Sequence, residues 1–420
     1  MTQAIRGMHD TLPEEIATWQ QVEDQARRIF ERYGFHEIRT PILEKTELFT
    51  QTLGEATDVV EKEMYTFADR NDESLSMRPE GTASVVRSAL QHSLLHVLPQ
   101  RMWYLGPMFR YEKPQKGRAR QFHQIGVEVF GAAGPDIDAE LLMLTARLWR
   151  ELGIAEHVRL EINTLGNPEE RKNYREALQA WLRERADQLD EDSKRRIETN
   201  PLRVLDTKDP QTLAAIKDVP LLADYLQEES IAHYEGLKAL LDAAGIAWVH
   251  NPRLVRGLDY YTHTVFEWVT DRLGAQGTIC AGGRYDGLCA LHGGKDVPGV
   301  GFAMGLERVV ALVNECQEIK PLHPHVYLIM AGDAALPYGM ALAERLRNEI
   351  PALRLQNHIG GGGFKAQFKR ADRFGAEFAM IIGDDEVNNG QAALKPLLAE
   401  GEQQVLAEAD LITFLREHVK

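Results

Sequence analysis

Two hydrophobic rhythms alternate along the chain, and the places where one gives way to the other mark its elements. Ile16, Trp19, Val22, Ala26, Ile29 and Phe30 recur at helical spacing, which predicts an amphipathic helix capped by Thr11 with Pro13 and Glu14, running to about Tyr33 and ended by Gly34. Residues 35–49, FHEIRTPILEKTELF, then read as a short strand that leaves its sheet at Pro41, since proline has no N–H to give a ladder. In residues 64–90 an Asp/Asn turn joins two short strands, and a helix opens after Pro79. Residues 101–111 are rich in Met, Trp, Tyr, Leu and Phe, while residues 122–130 alternate Ile125, Val127 and Val129 with polar positions. That is a hairpin with a long tip, turned at Pro114 and Gly117. Leu141, Leu144, Leu148 and Leu152 predict a helix over 136–152, and residues 157–163 alternate as a strand.

The pattern then changes character. Residues 168–245 are charged helices such as NYREALQAWLRERADQLDEDSKRRIE, interrupted by NPLRVLD, and read as an inserted helical domain with solvated faces. Residues 254–269 and 277–287 return to aromatic and glycine-rich strands, and residues 298–313, PGVGFAMGLERVVALV, give a strand, a glycine turn and a helix. KPLHPH is a linker. Beyond it a strand at 327–330, helices at 336–349 and 364–374 and a strand at 378–382 predict a separate α/β domain. The run Gly360, Gly361, Gly362, Gly363 followed by Phe364 and Lys365 is not a phosphate loop, which needs Ser or Thr after its lysine.

Length and composition narrow the picture. A chain of 420 residues fits roughly two to four domains, and 44% hydrophobic residues suffice for a large core. The net charge of -15 excludes a protein that coats nucleic acid indiscriminately, so any such contact must be local. Cys280, Cys289 and Cys316 form no C-x-x-C pair, which suits buried thiols in a reducing compartment. No stretch is apolar enough for a signal peptide or a membrane span, so the expected location is the cytoplasm, with no membrane partner.

Against that negative background, residues 109–124, FRYEKPQKGRARQFHQ, concentrate positive charge: Arg110, Lys113, Lys116, Arg118 and Arg120 are opposed only by Glu112. A run of charge alone describes a solvated loop. Arg110, however, is placed at the strand itself, where a fixed guanidinium offers a bidentate fork to phosphate. In RPEGT, Glu80 lies at a helix N-terminus, where a carboxylate can simply cap the helix. Arg308 falls in the first turn of the helix after the last glycine turn, where backbone amides and side chain can face an anion together.

FRYE with its basic loop and QFHQ resembles motif 2 of the class II aminoacyl-tRNA synthetases, the helix-strand-Pro41 region resembles motif 1, and the stretch around Arg308 resembles motif 3. LVRGLDYY followed by AGGRYDG narrows the resemblance to the histidyl-tRNA synthetase family. The resemblance implies an α+β fold. A class II antiparallel sheet flanked by helices would span residues 1–167 and 246–320, a helical insertion 168–245 and an anticodon-binding α/β domain 321–420. It also implies activation of L-histidine by ATP to histidyl-adenylate, then transfer to tRNA(His), with magnesium carried on the ATP phosphates and no protein metal cage. Partners would be a second copy of the chain and that tRNA, not DNA. By the same match, Arg110 and Arg256 approach the α-phosphate. Arg308 and Phe122 sandwich adenine, and Glu112 accepts from its amino group. Glu80, Thr82 and Gln124 hold the substrate's amino end, Glu128 and Tyr261 bond the imidazole, and Tyr260 and Tyr285 line the ring pocket. Gln115, Lys116, Arg118 and Arg120 meet the tRNA acceptor end. A non-catalytic histidine-binding regulator of the same fold is the alternative. Retention of Arg110, Arg256 and Arg308, together with the C-terminal hundred residues, favours the enzyme.

Overall fold

The apolar stripes predict where the chain turns inward, and the computed structural model places them on two units, Met1–Ile319 and Lys320–Lys420. It describes residues 2–419 apart from 55–56, 116, 206, 208, 257, 259, 275 and 276. In the first unit α1 (Ile16–Arg32) buries Val22, Ala26, Ile29 and Phe30, and the chain leaves it at Gly34 with φ of +76°. Its start differs from the expected cap at Thr11. The entry is a turn in which the amides of Glu15 and Ile16 reach the Leu12 carbonyl, and Glu15 takes the cap position without a side-chain bond.

After β1 (His36–Glu37) and β2 (Leu43–Lys45), the chain forms α2 (Thr46–Leu53), β3 (Tyr65–Ala68), β4 (Ser74–Met77) and α3 (Thr82–Gln91). Strands β2, β4 and β3 make a small sheet, with the β3–β4 turn held by Asp69 Oδ1, which accepts from the amides of Asn71 and Glu73. Next come β5 (Gln100–Phe109) and β6 (Gln121–Phe130), which run antiparallel from Gln100 opposite Phe130 to Phe109 opposite Gln121. Arg110 is therefore not on the strand as expected but one residue past it; its amide still reaches the Arg120 carbonyl at 3.0 Å, extending the ladder by one bond.

Helix α4 (Pro135–Glu151) and β7 (Arg159–Thr164) precede four helices, α5 (Pro168–Arg183), α6 (Glu191–Thr199), α7 (Pro210–Ala215) and α8 (Glu228–Ala243). The unit closes with β8 (Val249–His250), β9 (Thr262–Val269), β10 (Thr278–Arg284), α9 (Leu288–Leu291), β11 (Gly299–Gly305) and α10 (Leu306–Cys316). One eight-stranded sheet runs β1-β5-β6-β11-β10-β9-β7-β8, antiparallel except for the outermost pairs β1–β5 and β7–β8. Helices α1, α4 and α10 cover one face around Phe30, Trp103, Val127, Trp149 and Phe302. The opposite face is left to build a cavity.

Residues 136–152 read as plain scaffold, yet Asp138 within them is fully buried and accepts from Arg284 Nη1 and Thr264 Oγ1, both at 2.6 Å. Arg284 is itself fully buried and also donates to the Ala132 carbonyl, so this ion pair pins the end of β10 against α4. The next residue is Tyr285, whose position the pin sets.

In the second unit β12 (Val326–Met330), α11 (Ala335–Glu349), β13 (Leu355–Asn357), α12 (Phe364–Arg373) and β14 (Phe378–Ile382) form the alternation expected. They are followed by α13 (Asp384–Asn389), β15 (Gln391–Pro396), β16 (Gln404–Ala407) and α14 (Glu408–His418). The sheet order is β13-β12-β14-β15-β16, with the first three strands parallel and the last two antiparallel. The four-glycine run is a loop tied down by buried Gln367, whose Nε2 donates to the carbonyls of Gly362 and Met330. No helix among the described residues is long and apolar enough to cross a membrane.

Candidate active site

Strand β6 carries the innermost group. Glu128 is 1% exposed; its Oε1 accepts from Thr82 Oγ1 at 2.6 Å and its Oε2 from Tyr285 Oη at 2.5 Å. Its partner across the β6–β11 pair is Gly301, where a Cβ would stand 2.0 Å from Glu128 Oε2 and 2.4 Å from the Val127 carbonyl oxygen. Only a glycine leaves the carboxyl that room. Loss of water outweighs the two hydroxyl donors and pushes the carboxyl up to about 8.

Glu80 lies beside it at the start of α3, accepting from the amides of Thr82 and Ala83 at 2.8 Å each, so it caps the helix while lining the cavity. Burial raises its pKa too, against those amide bonds. Three tyrosines complete this end: the rings of Tyr260 and Tyr261 lie 4.6 Å apart, and Tyr260 meets the edge of Tyr285 at 5.8 Å. Tyr104 backs them from below, its ring occupying the space that a Cβ at Gly81 or Gly126 would need.

Three arginines line the same cavity. Arg110 donates from Nε to the Pro79 carbonyl at 2.9 Å, and its guanidinium lies 5.4 Å from the centre of the Phe122 ring. Arg256 pairs through Nη1 with Glu267 and stands 5.7 Å from the Tyr261 ring centre. Burial opposes its charge, but Glu267 and then Tyr261 outweigh that and raise its pKa. Arg308, in the first turn of α10 as expected, donates from Nη1 to the Thr278 carbonyl at 2.7 Å and from Nε to the Gly117 carbonyl at 3.2 Å. Burial, and after it Arg118, lowers its pKa. In the tip, Gln115 and Arg118 exchange backbone bonds in a tight turn, and Arg118 pairs with Glu112 at 3.1 Å.

One cavity of about 760 Å³ joins these groups. Glu80, Thr82, Gln124, Glu128, Tyr260, Tyr261 and Tyr285 line it, with Arg110, Glu112, Phe122, Arg256 and Arg308, and with Gln115 and Arg118 from the tip. Arg120 does not. It lies 3.7 Å from the Tyr111 ring centre, and its amide donates to the Gly7 carbonyl at 2.6 Å. Lys116 lies outside the described residues, as does Gly257 beside Arg256. Among the lining groups, Gln124 Oε1 and Arg256 Nε are buried without a hydrogen-bond partner. Buried polar atoms of this kind are uncommon in folded proteins, and both of these border the cavity. No group of three or more His, Cys, Asp or Glu able to hold a metal occurs among the described residues.

Sequence reasoning missed His9, Glu267, Thr278 and Glu307, all of which line the cavity. Glu307 precedes Arg308 and accepts from the His123 amide at 2.8 Å and 3.0 Å, which fastens α10 to β6. Glu267 had one visible signal, a lone acid inside the aromatic run TVFEWV.

Residues 7–309 match the family model described as histidyl-tRNA synthetase, and residues 325–418 match an anticodon binding domain. The fold resembles apo histidyl-tRNA synthetase of S. aureus with a TM-score of 0.82 and 36% identity, covering 99% of this chain and 100% of that one. It also resembles histidyl-tRNA synthetase from a Nostoc species, with a TM-score of 0.73, 22% identity and full coverage of both chains. A Bacillus halodurans structure described as an ATP phosphoribosyltransferase regulatory subunit/histidyl-tRNA synthetase aligns at 23% identity and a TM-score of 0.66, covering 91% of this chain and 98% of that one.

Proposed function

From the premise that the chain belongs to the histidyl-tRNA synthetase family, we propose that it is an active histidine–tRNA ligase and not a binding-only relative. The observation that carries this reading is that one cavity combines two chemistries, a buried carboxyl among tyrosines and the three arginines Arg110, Arg256 and Arg308. A regulator that only bound histidine would need the first of these alone.

The imidazole lies against Glu128 and Tyr261, with Tyr260 and Tyr285 as walls. Two hydrogen-bonding groups facing the ring reject apolar side chains of similar size, because such rivals would leave both unpaired. Gln124 Oε1, buried and unpartnered, and Thr82 take the ammonium together with Glu80. ATP enters as its magnesium complex, adenine stacked between Phe122 and Arg308, with Glu112 toward its amino group. The histidine carboxylate oxygen bonds to the α-phosphorus as the bond to pyrophosphate breaks. Charge grows on the non-bridging oxygens, where Arg110 and Arg256 already stand. The 3′-terminal hydroxyl of the tRNA then attacks the acyl carbon and AMP leaves. Gln115, Lys116, Arg118 and Arg120 guide the acceptor end from the tip. The reading places catalysis in residues 1–167 and 246–320, a helical insertion at 168–245 and anticodon contact in 321–420, and puts the protein in the cytoplasm.

Pyrophosphate exchange with each of the twenty amino acids tests this. Exchange that depends on histidine alone, followed by charging of tRNA(His), is the expected result. Tight histidine binding without exchange would favour the regulatory reading.

A homodimer fits the surface. Phe35, Leu48 and Phe49 of the 35–49 region are buried within the chain itself. What remains exposed is Ile42, Leu43 and Phe67 around the small β2-β4-β3 sheet, and their burial against a second copy would favour association. Sedimentation should give a dimer, and Leu43→Glu with Phe67→Glu should shift it to monomer. An unchanged profile would place the contact elsewhere.

A further inference from the structure

Arg256 comes from a loop, yet the phosphate chemistry proposed for it needs a guanidinium fixed in advance, since reorienting a charge during the reaction costs part of the stabilisation it gives. Three observations show how it is fixed. Its Nη1 is paired with Glu267, which sits on β9 between two neighbours, opposite Ala281 of β10 and Glu161 of β7. The second carboxylate oxygen of Glu267 accepts from Thr278 Oγ1 at 2.9 Å, so the carboxylate is held at both ends. Finally, the Thr278 carbonyl accepts from Arg308 Nη1 at 2.7 Å. A continuous chain of bonds thus runs from Arg256 through Glu267 and Thr278 to Arg308.

A bulge makes this possible. The β9–β10 register shifts between Thr278 and Cys280, so that Thr278 stands opposite Val269 while Ile279 is the extra residue. Ile279 and Cys280, adjacent in sequence, both enter the core. Thr278 is thereby left beside the cavity, on the side where Glu267 lies. The pair is only 18% exposed on each side, and a buried ion pair of this kind adds little net stability for the desolvation it costs. With Arg256 Nε still unpartnered, its use lies in what the guanidinium meets next.

We propose that Glu267, held by Thr278, is a positioning residue that fixes Arg256 and links it to Arg308, so that the guanidinium at the α-phosphate and the one at the adenine form one preformed frame for ATP. This rests on the synthetase reading given above. Removing the brace lets Arg256 sample other directions, which weakens its hold on charge developing at the α-phosphorus far more than it weakens substrate binding.

The test uses the full chain, with single-turnover adenylate formation, steady-state exchange and thermal melts for wild type, Glu267→Gln, Thr278→Val, Arg256→Ala and the double variant Arg256→Ala/Glu267→Gln. Glu267→Gln should slow adenylate formation by about 10- to 100-fold while the histidine KM stays within about threefold. Thr278→Val should slow it several-fold. The double variant should be no slower than Arg256→Ala, because the brace acts only through that arginine. A normal rate in Glu267→Gln, or losses that multiply in the double variant, would overturn the inference. If Glu267→Gln melts before it can be assayed, Thr278→Val decides: a normal rate there overturns it as well. Absence of histidine-dependent exchange in the wild type would instead sink the synthetase reading, and this inference with it.

Discussion

Glu128 carries the same carboxyl as any surface glutamate, and its behaviour comes from where β6 puts it. Its folded value near 8 stands above the ordinary 4.5, so between those values the native chain keeps a proton that the unfolded chain releases. The sign follows directly: this contribution to stability is fully present below about pH 4.5, declines as pH rises and levels off above about pH 8, with a limiting slope of ~1.4 kcal/mol per pH unit. Glu128→Gln removes the titration and keeps the shape. Urea denaturation from pH 5 to pH 8 should show the variant gaining on wild type as pH rises; parallel curves would contradict the burial argument. This residue was legible in the sequence only through its family resemblance, since an isolated Glu in an alternating strand reads as solvent-facing. Glu267 illustrates the limit more sharply: its partner lies eleven positions away, and the bulge that brings Thr278 to it leaves no mark in the hydrophobic pattern.

At the scale of elements, periodicity located the long pieces well. Helices α1, α4, α11 and α12 and strands β6, β12 and β14 lie close to where apolar spacing put them; α1, α4 and α11 each bury an apolar face, and β12 and β14 are buried almost throughout. It failed where a boundary depends on backbone bonding, as at the start of α1 and the end of β5. Pairing beyond the β5–β6 hairpin and the β3–β4 turn was out of its reach, and the site is made by one such distant pairing. Where β6 meets β11, Gly301 lets the strands close around a side chain. Gly301→Ala puts a methyl against backbone as well as carboxylate, so a strand must move; overpacking of this sort costs ~1–3 kcal/mol. The variant should melt earlier and lose histidine-dependent exchange together. An unchanged melt with normal exchange would mean that the pair closes less tightly than described.

For the whole molecule, the two units have separate cores, one around Trp103, Trp149 and Phe302 and one around Leu328, Leu346 and Ile382. Every group proposed for adenylate formation lies in the first. A chain ending at residue 319 should therefore keep histidine-dependent exchange within a few-fold, yet charge tRNA poorly and with less sensitivity to salt, because the basic residues between 345 and 373 go with the second unit. Charging at full efficiency, with the penalty for an altered anticodon retained, would refute that assignment.

The order of the large sheet also sets a timetable. β6 pairs with β5 almost as soon as it is made, but its other edge waits for β11, on the far side of residues 131–298. At ~5–20 residues per second, synthesis leaves that edge without its partner for roughly 10 to 30 s, with Ile125, Val127 and Val129 not yet covered by α10. A half-made chain is thus a sticky one, and the cavity is among the last things the first unit completes. Nascent chains stalled near residue 250 should aggregate or recruit chaperones, whereas chains stalled with residue 319 already clear of the ribosome should not. Equal solubility at both points would show that the waiting edge is shielded by something other than β11.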